Sequence, residues 1–475
     1  MSEDSKRPLV AQTVDLADST DTLEMERRSF LLMMAGAASV AATAGAGGCG
    51  SSGHSPSFRD TLEGTNSVPT TFVPTVLSTG GGHVPAVARV QNGVAVLLEG
   101  IPALGSGVDV RTQGLLYSQH SVDRVGAPMM GGRAITWDVF YAKWREVVEK
   151  GGAEKRVRVL RQSTGSLTKK RLYDALLANC PSAQIHVWSG LGRDNVETGL
   201  KQAYKRSLWV DVKFEKADRV VAFGSDFLRR PRYAADFAAR RRSAEDDKTF
   251  RFYAVESTAT ITGQAADHRL AIKPSELFVA MCIFAGQLFD RGVSGLDAFR
   301  APPDQVTAFG PKRVDWLREM AIDFAGARGK SFVCVGPWMP AAAHALAAAI
   351  NDSLGNVGKT VEYTAAIHPH EGLYCDDLAS LTKDMNARLV DCLIIHGGNP
   401  VYDAPADIPF AEAMKKVRFI AHFTEEFNET SQKATSVLPQ NTPLEGWDLY
   451  RDRDRILLRQ PVVTAADCKP LTRGI

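Results

Sequence analysis

Four short segments carry residue types suited to holding an anionic or nucleotide-like ligand. They are Gln162-Ser163-Thr164-Gly165, Ser189-Gly190-Leu191-Gly192-Arg193, Glu256-Ser257-Thr258-Ala259-Thr260 and His396-Gly397-Gly398-Asn399-Pro400. Each follows a stretch that reads as a strand, and the first two lead into one that reads as a helix. Glycine lets backbone amides approach a phosphate, and a helix start adds positive potential. In an open parallel sheet, ligands bind outside the carboxyl ends of the strands, where such loops lie. Any α/β sheet has Gly and Ser at those ends, so the pattern marks a place for a ligand without naming one. Other constellations point less far. His368 and His370 could be a metal pair, but a plain surface loop is the favoured reading. Asp267-His268 could be half of a catalytic pair, but no nucleophile motif of the GxSxG kind accompanies it. Glu425, Glu426 and Glu429 read as a solvated run.

Cysteine spacing narrows the chemistry. The seven cysteines stand at 49, 180, 282, 334, 375, 392 and 468, with no CxxC pair. Zinc ribbons and iron–sulfur clusters need clustered thiolates, so the spacing argues against both. "AMCIF", "FVCVG" and "VDCLII" place three of them in apolar surroundings, as core cysteines. If Cys49 is set aside, six remain and their pairing stays open. The chain has 475 residues and a formal net charge of +2, which gives no bias toward nucleic acid. The densest basic patch, Arg229, Arg230, Arg232 and Arg240 to Arg242, is interleaved with Asp236 and reads as a solvated helix face.

The elements that would position these loops alternate. "VAVLLEG" and the alternating residues before Asn92-Gly93 form a hairpin signal. A helix is expected from Thr136 to Lys150, with Thr136 as cap and Trp137, Phe140, Tyr141 and Trp144 on one face. Strands then alternate with helices: 156–162, helix 166–179, "AQIHVWSG", helix 193–204, "DRVVAFGSD", helix 233–242, "FRFYAVES", "HRLAIK" and helix 275–290. An irregular connection runs to Gly329; then come "SFVCVGPW", helix 340–351, "CLIIHGGNPVYDAP", "VRFIAHFT" and "ATSVLPQN". This rhythm predicts an α/β protein with parallel sheets covered by helices, and a small β-rich part before them.

The amino-terminal part reads as an address. Arg27-Arg28 precede Ser29-Phe30-Leu31 and an uncharged Ala- and Gly-rich run to Gly48, the pattern of a twin-arginine export signal. Mostly Ala and Gly, that run would be a weak permanent anchor. It ends "AGAGGCG", which puts Cys49 where a lipoprotein signal has its acylated cysteine, and "SSGHSPS" follows as a linker. The expected location is therefore the outer, periplasmic face of a cytoplasmic membrane, held by lipid at Cys49.

Longer motifs add a resemblance. Residues 232–277 ("RYAADFAARRRSAEDDKTFRFYAVESTATITGQAADHRLAIKPSEL") and 394–419 ("IIHGGNPVYDAPADIPFAEAMKKVRF") resemble the molybdopterin-oxidoreductase-like half of the B subunit of alternative complex III, a bacterial quinol-oxidising assembly. "ERRSFLLMMAGA" and "LPQNTPLEGWDLYRDRDRILLRQPVV" resemble the same subunit, so the likeness spans residues 24–463. It implies this organisation: 1–49 signal, 50–70 linker, 71–150 degenerate iron–sulfur domain with β-rich fold, 151–330 first α/β domain, 331–390 second α/β subdomain, and 391–475 returning to the first sheet. The wider superfamily binds a bis-pterin molybdenum cofactor and one iron–sulfur cluster. Here the cluster's cysteines are missing from "VPTVLSTGGGHVP" and "VRTQGLL". Where a molybdenum ligand is expected, "SGLGRDNVETG" offers Ser189 and Asp194 but no Cys. The superfamily's acidic turn reads Pro274-Ser275-Glu276-Leu277, while "GGNP" and "ADHRL" are intact. The resemblance thus implies a cofactor-free scaffold subunit, without a cluster of its own. Its expected partners are an iron–sulfur ferredoxin-like subunit, a multihaem cytochrome and quinol-binding integral membrane subunits. The rival reading is a catalytic subunit holding molybdopterin guanine dinucleotide through Ser163, Thr164, Gly165, Glu256, Ser257, Thr258, Gly397, Gly398 and Asn399.

Overall fold

The computed structural model describes residues 69–79, 82–101, 104, 107–149, 156–243, 250–365, 373–452 and 455–464. Arg27, Arg28, Cys49, His368 and His370 lie outside the described residues. The chain divides into two compact units. Among described residues, one comprises 193–365; the other comprises 69–192 and 373–464.

The second unit is built on a seven-stranded sheet. Its strands are β4 (Met129–Met130), β5 (Arg133–Ala134), β6 (Val157–Arg161), β7 (Gln184–Val187), β14 (Cys392–His396), β15 (Phe419–Thr424) and β16 (Ser436–Pro439). They lie in the order β5-β4-β16-β15-β14-β6-β7, parallel from β16 to β7 with β4 and β5 antiparallel at one edge. Helices cover both faces of the central strands, so β6 is buried over Val157–Leu160, with Arg158 among them paired to Asp384 at 3.4 Å. Leu393, Ile395, Leu160 and Ile420 form one core with Leu378, Leu381 and Met385 of the helix Tyr374–Asn386. Cys392, Phe419 and Leu438 pack with Phe140 of the helix Trp137–Trp144. That helix is shorter than the expected span to Lys150: Arg145–Glu149 continues as a π-turn. From β6 the chain steps outward to β7, then returns as β14 on the other side of β6. The strand order therefore reverses between β6 and β14, the position where open sheets bind ligands.

The same unit carries a three-stranded antiparallel sheet of β1 (Thr70–Thr79), β2 (Gly82–Gln91) and β3 (Val94–Gly100). The expected hairpin turn is present, with Asn92 and Gly93 at φ 51° and 77°. A further hairpin, β17 (Asp448–Asp452) with β18 (Arg455–Arg459), goes beyond the strands expected from the sequence.

The first unit holds a parallel sheet in the order β11-β10-β9-β12, made of β9 (Arg219–Phe223), β10 (Arg251–Glu256), β11 (His268–Ala271) and β12 (Ser331–Val335). Its order reverses between β9 and β12. The helix Leu277–Phe289 is apolar nearly all round and lies in the core. Two features differ from the sequence expectations. The connection before Gly329 holds two helices, Pro303–Phe309 and Pro311–Gly326, each with Pro at its first position, where a missing N–H costs nothing. A short antiparallel pair, β8 (Leu208–Val212) with β13 (Val361–Ala365), joins distant segments. The units divide at 192/193: β6 pairs with β14 and carries β7 at its outer side, so both belong to the sheet of the second unit and not to that of β9.

Candidate functional site

At the reversal point of the second unit, Arg161 and His396 end neighbouring strands and are register partners, so their side chains share one face of the sheet. Tyr173, on the helix Leu167–Asn179, joins them. Its hydroxyl bonds His396 Nδ1, and the Arg161 guanidinium lies 5.3 Å from its ring centroid. Arg161 Nε and His396 Nε2 are buried and have no hydrogen-bond partner among the described residues. Burial, reinforced by Lys169 and Arg161, holds the His396 imidazole well below its usual pKa. Burial likewise lowers the Lys169 ammonium, while Asp448 opposes the shift.

Lys169 occupies the first turn of its helix because Ser166 caps it, accepting from Lys169 N at 2.9 Å. Ser166 Oγ in turn donates to Asp448 at 2.5 Å, and Arg459 lies 3.6 Å from Asp448. Across the sheet edge, burial pushes Glu425 up to about 7, with Lys169 opposing the shift. Arg124 pairs with Glu445, and Glu445 accepts from Thr442 N at 2.8 Å. Glu425 is therefore not the solvated side chain expected from its run of acids; among the three, Glu429 is the exposed one. Lys169, Tyr173, Arg161, His396 and Glu425 form a titratable cluster that sequence reasoning missed. The one available signal is that "RVLRQ" and "LIIHG" both end a strand on a cationic residue type.

The Gly-rich loop sits above this cluster. Gly397 and Gly398 have φ 73° and 76°, so side chains are strained there. Gly397 N donates to Phe423 O at 2.8 Å, and Gly398 O meets His422 Nε2 at 3.2 Å. His422 is fully buried, and that burial lowers it to about 4. Asn399 Oδ1 accepts from Thr430 N at 3.1 Å and Thr430 Oγ1 at 2.8 Å; its Nδ2 donates to Glu429 at 2.5 Å. Ser163 Oγ accepts from Tyr374 at 3.1 Å, Thr164 Oγ1 accepts from Ser166 N at 3.2 Å, and Gly165 is buried.

The space a loop glycine leaves open is taken by this chain's own side chains. A Cβ on Gly398 would lie 3.1 Å from Gln162 Nε2, and one on Gly192 would lie 2.5 Å from the Tyr374 ring. A Cβ on Gly190 would meet Asp403 at 3.3 Å. The exposed Gln162 side chain thus lies in front of Gly397 and Gly398. The first unit repeats the solution at its own reversal point. There Trp338 Nε1 donates to Gly224 O at 2.8 Å, and a Cβ on Gly224 would lie 2.7 Å from the Trp338 ring.

The remaining expected ligands are placed as follows. Glu256 is buried, accepting from Thr260 Oγ1 at 2.7 Å and Arg269 Nε at 2.6 Å, while Ser257 and Thr258 are exposed. These three belong to the first unit, whereas Ser163–Gly165 and Gly397–Asn399 belong to the second. Ser189 and Asp194 likewise fall in different units. Asp267 accepts from Phe252 N at 2.8 Å and from Arg241, and His268 stacks on Tyr253, so neither faces a nucleophile. Glu276 accepts from Lys273 N at 2.9 Å and pairs with Arg313, a capping role. In the basic patch Arg229, Arg232, Arg240 and Arg241 all have carboxylate partners. Among the described residues no group of three or more His, Cys, Asp and Glu could hold a metal ion. No described helix is long and apolar enough to cross a membrane.

Comparison with known proteins rests on the fold. No protein-family model and no curated protein matches the sequence. Among solved structures, the chain is similar to acetylene hydratase from Pelobacter acetylenicus, with a TM-score of 0.59 and 11% identity, over 84% of this chain and 68% of that one. The fold is of the molybdopterin-oxidoreductase type. At this identity the likeness concerns architecture alone.

Proposed function

We propose that the protein is a cofactor-free, molybdopterin-oxidoreductase-like scaffold subunit of an exported, membrane-associated quinol-oxidising complex of the alternative complex III type. The observation that carries the reading is the self-closure of the glycine loops. Gln162 lies against Gly398 and Tyr374 against Gly192, and the Asn399 carboxamide is spent on Thr430 and Glu429. A cradle would leave those surfaces for a ligand. An iron–sulfur cluster also finds no thiolates in "VPTVLSTGGGHVP" or in "VRTQGLL". The chain would be exported through Arg27 and Arg28, held by lipid at Cys49, and would support a ferredoxin-like iron–sulfur subunit. Quinol oxidation would take place on other subunits.

One observation favours the second reading, a catalytic molybdopterin-dependent subunit. Arg161 Nε is a buried donor and His396 Nε2 a buried ring nitrogen, both without a partner among the described residues, beside the intact "GGNP" loop, and an anionic ligand would satisfy the Arg161 donor. Metal and pterin analysis of the natively purified protein decides between the two. The scaffold reading expects neither; stoichiometric molybdenum or tungsten sinks it. Recovery of the native chain only as a free monomer would remove the complex.

A further inference from the structure

The β17–β18 hairpin presents an apolar outer face. Its register pairs Leu449 with Leu458 and Arg451 with Ile456. Side chains alternate across a strand, so Trp447, Leu449, Arg451, Ile456 and Leu458 lie on one side. The other side is buried: Asp448 and Tyr450 are 4% and 2% exposed and bond Arg459. On the outer side Trp447 is 60% exposed, Leu449 39% and Ile456 46%. Large apolar side chains gathered on one exposed face mark an interaction surface.

The position of the hairpin indicates its occupant. Gln460, just after β18, is tied to β1: Thr75 Oγ1 donates to Gln460 O at 2.9 Å, and Gln460 Nε2 donates to Pro74 O at 2.7 Å. The His83 ring of β2 lies 4.3 Å from the Tyr450 ring. The hairpin therefore packs by its inner side beside β1 and β2, next to the strand at which the described chain starts, and turns the apolar face away from them. Only residues 50–69 separate Thr70 from Cys49, the last residue of the signal-like segment. The chemistry suits a lipid surface. A Trp with aliphatic neighbours partitions into the membrane interface, and an Arg among them keeps its head at the phosphate level while its stem stays apolar. One lipid anchor gains from a second point of contact.

We propose that the Trp447–Leu449–Ile456 face of the β17–β18 hairpin rests on an anionic lipid surface, with Arg451 meeting the headgroups. The inference rests on the membrane-associated reading above. Trp447 is a natural reporter, because residues 1–68 contain no tryptophan. The full chain is mixed with vesicles of phosphatidylethanolamine and phosphatidylglycerol carrying brominated acyl chains, beside a Trp447→Phe variant. Trp447 is one of seven tryptophans, so contact is expected to quench up to about one-seventh of the emission in the parent and not in the variant. Arg451→Glu is expected to reduce that quenching. If the chain does not sediment with vesicles at all, the membrane reading fails. If it sediments and the parent and Trp447→Phe are quenched alike, the face belongs to a protein partner and the inference is overturned.

Discussion

Asn399→Ala separates a structural loop from a ligand cradle. In the folded chain Asn399 Oδ1 accepts from both the N–H and the hydroxyl of Thr430, and Thr430 is fully buried. Removing the carboxamide leaves the Thr430 N–H with Asn428 Oδ1 at 3.1 Å, but takes from the hydroxyl proton the acceptor it has. One orphaned buried donor costs about 1–3 kcal/mol. The Asn399–Glu429 bond faces solvent and adds little. About 2 kcal/mol lowers the melting temperature of a unit of this size by roughly 4–8 °C. Asn399→Asp keeps an acceptor and is expected to recover part of the loss. The assay is differential scanning calorimetry of both variants, with pterin analysis of the same natively expressed samples. An unchanged melting temperature together with a loss of bound pterin in Asn399→Ala would refute the argument, since Asn399 would then serve a ligand rather than Thr430.

Other expectations follow from the same geometry. Gly192→Ala places a Cβ 2.5 Å from the Tyr374 ring and is expected to cost about 1–3 kcal/mol by chemical denaturation, relieved by adding Tyr374→Ala. Gly224→Ala combines φ 57° with a 2.7 Å approach to Trp338, and is expected to unfold the first unit at lower denaturant than the parent. His422 is lowered from 6.5 to about 4, so its neutral form stabilises the fold above pH 6.5. That stability is lost as pH falls toward 4, by on the order of 3 kcal/mol, and His422→Gln is expected to flatten urea midpoints between pH 6.5 and 4. Glu425 has the opposite sign. Raised from 4.5 to about 7, it contributes most below pH 4.5 and loses its contribution as pH rises through 7, so Glu425→Gln is expected to gain stability above pH 7. Among the described cysteines Cys375 is the exposed one, and burial pushes Cys282 and Cys334 up to about 11 and about 12. Of these described cysteines, Cys375 should be the first modified by thiol labelling near neutral pH.

Local signals carry much of the fold. Ser166 caps its helix as its type and position suggest, and Asn92-Gly93 turns the hairpin. The strands ending at Arg161, Phe223, Val335 and His396 are legible near their observed ends, since buried parallel strands are near-continuous apolar runs. What stays hidden depends on distant partners. β8 and β13 pair across most of the first unit, and a five-residue strand with mixed exposure has no decisive period. The break at 192/193 is invisible because the chain passes from a strand-end loop straight into a helix, with no Pro- or Ser-rich linker. Glu425 looks solvated because its sequence neighbours are acids; its surroundings are set by Lys169 and Arg124. The loop glycines are legible as glycines, but whether a ligand or a side chain fills the space before them cannot be read from "GGNP".

The two reversal points meet the same physical demand. A parallel sheet whose order reverses leaves a crevice between the diverging loops, and an unfilled crevice costs both lost contacts and unpaired backbone groups. A ligand can fill it, and so can a side chain. In the second unit Gln162 lies against Gly398; in the first, Trp338 lies across Gly224 and hydrogen-bonds its carbonyl. The two fillings differ in kind. Trp338 brings apolar area and one donor, which match a carbonyl and an apolar wall. Gln162 stands beside Gln440, whose Oε1 is buried without a partner among the described residues, and the neighbouring Arg161 Nε and His396 Nε2 are likewise buried without one. The second crevice therefore keeps unpaired buried polar atoms beside its covering side chain, whereas in the first the covering Trp338 is hydrogen-bonded to Gly224. If either accepts a small polar ligand, the imbalance says it is the second, and Arg161→Met should abolish that binding while leaving the Trp338 crevice unaffected.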